Sequence, residues 1–291
     1  MVVKFCCVTP CYNAEIHIEQ TMVSVLSQSV FKDRSNQLHY IVKDGGSTDT
    51  TIEKVRQIAL EYNNYPNITI EIISQADSGI YDALAISFRN LHEGDVYSYI
   101  NAGDYYSLFA FEIVAEIFTV YKVQFLTGLN CVYNEKNHLI SCHLPYRYKK
   151  SLMLAGCYGT ILPHVQQEST FWGPKLHGII DLDRLRKTRL AGDYLLWKTF
   201  IKYEQLYIVS AHLGGFKIHK GQLTENSHTE YENEVRLLAN TGSLYTFLGA
   251  LVYKICWLVP NKVKKRLSKQ IFEYDHMSKV YKICTNRWSL L

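Results

Sequence analysis

The 291-residue chain has few prolines, six in all, and no repeat or low-complexity tract, so no linker separates it into obvious halves. No two of its eight cysteines stand in C-x-x-C spacing, which excludes a zinc ribbon and a thioredoxin-type redox motif. Cys6 and Cys7 lie in an apolar run, where cysteine acts as a small buried hydrophobe, and free thiols suit a reducing cytoplasm. The first residues, Met1-Val-Val-Lys-Phe, lack the basic-then-apolar layout of a secretory signal. Neither G-x-G-x-x-G nor G-x-x-x-x-G-K-[ST] occurs, so neither a dinucleotide fold nor a P-loop is indicated. A net charge of +4 is too small to argue for nucleic acid as a partner. With 47% hydrophobic and 20% charged residues, disorder is excluded as the account of the whole chain.

That charge is unevenly placed. From Lys254 to Leu291 there are nine Lys or Arg against Glu273 and Asp275 alone, and the remaining chain is slightly acidic. A basic tail on such a body suits an anionic surface met by one end.

The first hundred residues alternate strand and helix signals. The pattern predicts strands at Lys4–Thr9, Leu38–Lys43, Ile68–Ser74 and Val96–Ile100. Helical spacing follows the first three, through Ile18–Leu26, Val55–Leu60 and Leu84–Leu91, and Thr50 and Glu53 have capping-box spacing. Strand–turn–helix repeated in this way implies a mostly parallel α/β sheet with right-handed crossovers. Ligands in such sheets bind outside the carboxyl ends of the strands, where all four polar turns of this chain fall. Further on, Phe125–Tyr133, Leu139–His143, Leu206–Ser210 and Gly215–His219 are expected to be extended, and Asp193–Tyr203 helical. These segments are expected to extend the sheet and to form an acceptor-side lobe.

Each turn read singly has two explanations. Asp104, in Asn-Ala-Gly-Asp after the fourth strand, suits Mg²⁺ or Mn²⁺ bridging phosphate oxygens, or else it caps its own turn. Asp44 could accept hydrogen bonds from a base or ribose, and the glycines beside it allow close approach, although helix capping explains part of this motif.

Together the motifs are more specific. Val8-Thr-Pro-Cys-Tyr-Asn13, Asp44-Gly-Gly-Ser-Thr-Asp49, Asp77-Ser-Gly-Ile-Tyr-Asp-Ala83 and Asn101-Ala-Gly-Asp104 resemble, in order and spacing, the family 2 glycosyltransferases. Gln167-Glu-Ser-Thr-Phe-Trp172, Ala191-Gly-Asp-Tyr-Leu-Leu-Trp197 and Phe216-Lys-Ile-His-Lys-Gly-Gln222 resemble the same family, most of all its bacterial surface-polysaccharide members. The resemblance implies a GT-A type nucleotide-sugar-binding fold over residues 1–240 and inverting transfer of a sugar, of the hexosyltransferase class, from a nucleoside diphosphate, with uridine diphosphate as the expected one. It implies donor contacts from Pro10, Tyr12, Glu15, Asp44, Asp77, Gly79, Asp82, Asn101 and Ala102. Metal ligation falls to Asp104, since the first position of the family's D-x-D element is here Asn101, with His219 as an extra metal or diphosphate contact. Asp193 matches the family's general base, and Gln167, Glu168, Trp172 and Trp197 would lie on the acceptor side, with packing as the competing role for Trp172. The implied cofactor is Mn²⁺ or Mg²⁺, and the implied acceptor is a lipid-linked or polysaccharide glycan. Where relatives with the Gly-Ile-Tyr-Asp-Ala pattern often continue with Asn, Lys and Gly, this chain has Ala85, Ile86 and Ser87.

A nucleotidyltransferase on a related fold would ordinarily carry a glycine-rich loop with Arg and Lys after the first strand, and Pro10–Glu15 has neither. A non-catalytic scaffold is the alternative from another class, and retention of Asp104 and Asp193 argues against it.

Residues 241–291 are expected to form a basic, amphipathic helical extension. Leu244, Phe247, Leu248, Leu251, Ile255 and Leu258 share one helical stripe in a run too short to span a bilayer, with basic residues after Pro260. This predicts a cytoplasmic protein held peripherally on the inner face of the membrane. The competing expectation is a helix packed on the catalytic domain or on a second copy of the chain.

Overall fold

The structure, a computed structural model, describes residues 2–218 and 227–284. In chain order it opens with β1 (Lys4–Cys11), α1 (Ile18–Leu26), β2 (Gln37–Asp44), α2 (Thr51–Glu61), β3 (Ile68–Ser74), α3 (Ile80–Asn90) and β4 (Val96–Tyr99). A short β5 (Tyr105–Tyr106) leads to α4 (Ala110–Tyr121), β6 (Phe125–Thr127), β7 (Asn130–Tyr133), β8 (Leu139–His143) and α5 (Lys150–Leu154). Next come β9 (Thr170–Trp172), α6 (Pro174–His177), α7 (Leu182–Leu185), α8 (Gly192–Phe200), β10 (Tyr207–Val209) and β11 (Gly214–Lys217). The remainder is α9 (His228–Leu238), α10 (Leu244–Leu258), α11 (Asn261–Leu267), β12 (Ile271–Asp275) and β13 (Val280–Ile283).

Nine strands form the main sheet in the order β13-β12-β10-β6-β9-β4-β1-β2-β3. β1 is buried from Phe5 onward, as a strand covered by helices on both sides must be. It pairs in parallel with β2 on one side and β4 on the other. The chain therefore steps outward through β2 and β3, then returns to the far side of β1 as β4. That reversal opens a crevice at the carboxyl ends of β1 and β4. Antiparallel β9 wedges between β4 and β6, which makes the sheet mixed. A second sheet, β5-β11-β7-β8, stands beside it.

Two apolar layers cover the main sheet. One joins β1 to α1, α2 and α4 around the stacked rings of Phe5 and Phe111, whose centroids are 4.7 Å apart. The other joins α3, α5 and α8 around Trp172 and Trp197.

Three expectations need correction. Phe125–Tyr133 is not one strand: it breaks at Gly128-Leu129, and its halves enter different sheets. Thr50 does not close a capping box. Its hydroxyl donates to Glu15 Oε2 at 2.6 Å, and Asp49 Oδ1 instead takes the Thr51 N–H at 3.0 Å. The chain beyond residue 240 is not helical throughout, since it includes the strands β12 and β13. β12 pairs in parallel with β10, Ile271 and Phe272 are fully buried, and the Tyr121 hydroxyl donates to the Tyr281 carbonyl.

Candidate active site

The turns after β1 and β2 are stitched together. Gly45 N–H donates to the Cys11 carbonyl, Asn13 N–H to Ser47 Oγ, and Thr48 N–H to Asn13 Oδ1. Glu15 accepts from the backbone and hydroxyl of Thr50, so it braces the start of α2. Pro10 is buried in β1, and its carbonyl accepts the Ala102 N–H at 3.4 Å. Asp44 is 1% exposed, and its carboxylate accepts from Ser47 Oγ at 2.5 Å and from Ser74 Oγ at 2.8 Å. Asp44 thus ties its own loop together, while α2 has no side-chain cap hydrogen bond from Thr50.

Lys43 was not singled out from the sequence because it sits in a strand. It is fully buried, and its ammonium donates to the carbonyls of Asp44 and Gln75 and to Asp77 Oδ2 at 2.7 Å. One cation therefore locks the second and third turns together. A methyl placed on Gly45 would stand 3.2 Å from Asp77 Oδ2 and 3.4 Å from the Tyr12 ring. Tyr12, Gly45 and Asp77 thus share a recess, with the Tyr12 ring largely exposed above it.

Gly79 has φ +127°, a conformation that L side chains rarely adopt, and opens α3. Three residues on, Asp82 accepts from the Ser78 backbone and hydroxyl and from the Arg186 guanidinium at 2.8 Å. Burial opposes ionisation of Asp82, but those donors outweigh it and hold the carboxyl below its ordinary range. Arg186 carries no local motif, and only the packing of α7 on α3 reveals it.

After β4 the chain turns through Gly103, which has φ +116° and whose N–H donates to Thr21 Oγ1. The Thr21 hydroxyl in turn donates to the Asp104 carbonyl at 2.7 Å. The Asp104 carboxyl is 4% exposed, and its Oδ1 accepts the Lys217 N–H at 2.9 Å. Glu168, on the turn Gln167–Ser169 before β9, hydrogen-bonds Asp104. Gly214 makes this possible, because a Cβ there would lie 1.9 Å from the Glu168 carbonyl oxygen. Burial and the neighbouring Glu168 charge push Asp104 well up. Burial and the Asp193 charge push Glu168 to about 7, so the Asp104–Glu168 pair holds a proton in common. Gln167 Nε2 donates to the Tyr99 carbonyl, and Asn101 Nδ2 lies 3.4 Å from Gln167 Oε1. Asn101 Oδ1 is buried and has no donor among the described residues.

Asp193 lies in the first turn of α8 and keeps some access to solvent. Burial raises it to about 6, against the Tyr194 N–H and the hydroxyls of Tyr231 and Tyr81, which favour the ionised form. The Tyr231 hydroxyl stands 3.3 Å from both carboxylate oxygens. The Tyr81 ring fits under Gly192, where a Cβ would come within 2.3 Å of it. From α9, Glu234 accepts three successive N–H groups, those of Arg189, Leu190 and Ala191, at 2.8, 2.6 and 2.8 Å. Neither Tyr231 nor Glu234 was foreseen, since α9 has no motif and its contact with the Asp193 loop is long-range.

Asp104, Glu168 and Asp193 therefore come together beside the four turns. Trp172 and Trp197 do not join them: both are buried in the aromatic layer, packed on Phe200, and are placed to stabilise rather than to meet an acceptor. His219 lies outside the described residues. The cleft of about 500 Å³ lined by Arg147, Lys149, Lys150 and Lys202 shares no residue with this cluster.

Comparison with solved structures defines the class first. The S. aureus TarS 1–349 structure aligns at a TM-score of 0.58 and 15% identity, over 86% of this chain and 71% of that one. TarS 1–349 in complex with UDP-GlcNAc aligns at 0.58 and 15%, over 87% and 71%. The mannosyltransferase PcManGT from Pyrobaculum calidifontis, in complex with GDP-Man and Mn²⁺, aligns at 0.58 and 15%, over 91% and 72%. The architecture is that of the GT-A glycosyltransferases. Residues 6–142, a little under half of the chain, match the family model described as glycosyl transferase family 2, so this segment is similar to that family. No curated protein sequence matches the chain significantly.

Proposed function

We propose that the protein transfers a sugar, with inversion, from a nucleoside diphosphate sugar to a hydroxyl of a lipid-linked or polysaccharide acceptor in surface-glycan assembly. The observation that carries this reading is the meeting of Asp104, Glu168 and Asp193 at the carboxyl ends of the strands. The donor of first choice is a uridine diphosphate sugar, in keeping with the TarS complexes. PcManGT, with GDP-Man on a similar fold, makes the base a matter for experiment.

The donor set fits a divalent cation in part. Asp104 Oδ2 and Glu168 are hard oxygen donors, and a buried carboxyl pair that shares a proton can exchange it for a metal ion. Among the described residues no group of three His, Cys, Asp or Glu side chains is placed to hold a metal ion, so Asp193 does not complete the set and the remaining coordination would come from the diphosphate and water. When bound, Mn²⁺ or Mg²⁺ supplies positive charge for the departing diphosphate.

The chain's own residues do the rest. Tyr12, Gly45 and Asp77 border the recess for the nucleoside, and Arg186 adds a cation beside the third turn. Asp193 accepts the proton of the attacking hydroxyl, and Tyr231 holds its carboxylate in one orientation. Attack from the face opposite the diphosphate makes a single displacement, which inverts the anomeric centre. Asp193→Asn is expected to keep nucleotide binding within about twofold and to lower sugar transfer by at least ~10³. Unchanged turnover in that variant would remove Asp193 from the chemistry.

A further inference from the structure

The stripe on α10 divides once the helix is placed on the body. At 100° per residue, Ala250 and Tyr253 define its inner side and are buried. The Tyr253 hydroxyl donates to the Arg147 carbonyl at 2.9 Å, and the Trp257 ring packs on Tyr148 at 5.4 Å. The opposite arc is apolar as well. Leu244, Leu248, Leu251, Val252, Ile255 and Leu258 are between 50 and 82% exposed, and Tyr245 joins them at 85%. A surface helix normally turns polar residues outward, and soluble monomers rarely expose more than a few hundred Å² of contiguous apolar surface. The one charged residue of α10, Lys254, lies at the edge of this arc. Burial against the body is therefore satisfied by one side of the helix, and the other has no partner among the described residues.

We propose that the outward face of α10 docks into the surface of an anionic lipid bilayer. The surrounding charge selects this occupant. From Leu244 through Phe272 there is no acidic side chain, while six basic ones occur: Lys254, Lys262, Lys264, Lys265, Arg266 and Lys269. Lys264 is engaged inward on the Leu144 carbonyl, and Lys265 pairs with Glu273. α11 also exposes Val263 and Leu267 beside its basic residues. On the inner flank, the Lys149 ammonium sits 4.1 Å from the Tyr253 ring and lines a cleft whose charged residues are Arg147, Lys149, Lys150 and Lys202 against Glu204 alone. Two copies of so basic a surface repel one another, whereas an anionic membrane matches both its apolar centre and its charged border. Fifteen residues make roughly 22 Å of helix, less than a bilayer core, and no helix among the described residues is long and apolar enough to cross a membrane. α10 would therefore lie in the plane of the interface. This inference stands on α10 and its flanks, and does not depend on which sugar the crevice takes.

The test is flotation of the full chain with phosphatidylcholine vesicles, with and without phosphatidylglycerol. The wild-type protein is expected to partition at least ~10-fold more onto the anionic vesicles, at about fivefold per unpaired basic residue at the surface. L248E/L251E changes only exposed positions. It is expected to lose at least ~10-fold in binding with an unchanged thermal transition. K262E/R266E is expected to lose the preference for anionic vesicles. Equal flotation of wild type and L248E/L251E would overturn the proposal, as would equal binding to both vesicle types. A wild-type dimer in sedimentation that L248E/L251E turns to monomer, with no vesicle binding by either, would assign the face to a second copy instead.

Discussion

Asp193, Glu168 and Asp104 are all made weaker acids by burial, and this has opposite consequences for activity and stability. As a base, Asp193 must be ionised, so kcat/KM is expected to rise with pH through about 6, and Asp193→Asn is expected to abolish that limb. For stability the sign reverses. Above the ordinary range of a carboxyl, near 4.5, the unfolded chain releases protons that the folded protein still holds. Stability therefore falls as pH rises from there to about 7, where Glu168 also ionises. Glu168→Gln is expected to raise the melting temperature by a few degrees, more at pH 8 than at pH 5, in metal-free protein measured by calorimetry. Lys43 shows the other side of burial. Lys43→Met would strand Asp77 and two carbonyls in the interior, and is expected to cost ~3–5 kcal/mol in denaturant unfolding. Motif residues of this site were legible in the sequence because each sits in a polar turn after an apolar strand. Lys43, Arg186, Tyr231 and Glu234 were not legible. Each acts from a strand or helix whose partner is distant in the chain, and nothing local marks that partner.

At the level of elements, β3, β8 and α10 fall where periodicity predicts them, because each has uninterrupted apolar spacing between clear breaks. β5 and β9 are two and three residues long and exist only through pairing with strands remote in sequence, so no local period betrays them. Gly128 splits the long apolar run, since a side chain there would meet the Ala211 carbonyl at 2.9 Å. The approach of β11 to the Glu168 turn is tighter still. Gly214→Ala is expected to destabilise the fold by about 1–3 kcal/mol and to weaken metal-dependent nucleotide binding by displacing Glu168, measured by unfolding and titration together. α9 acts as a brace. Glu234→Ala removes the acceptor of three N–H groups ahead of Asp193 and is expected to lower kcat at least ~10-fold while leaving nucleotide affinity within about twofold.

For the whole molecule, the reversal of strand order at β1 is the feature that gathers the turns, and it follows from the β-α repeat visible in the first hundred residues. At the end of the chain, the charge and the apolar helix mask a hairpin, β12–β13, that closes the far edge of the sheet. β12 and β13 complete the main sheet and Ile271 and Phe272 enter its core, so deletions cannot separate α10 from the rest of the fold, and single surface substitutions are the sound probe of it. The central claim is that Asp104, at the end of β4, holds a cation and diphosphate in the crevice formed by that reversal. The most direct measurement is calorimetric titration of uridine diphosphate into the full chain, with and without Mn²⁺, for wild type and Asp104→Asn. Binding that Mn²⁺ strengthens at least ~10-fold in wild type, and that Asp104→Asn reduces to the metal-free level, is the expected result. Nucleotide affinity that neither the cation nor the substitution changes would contradict it.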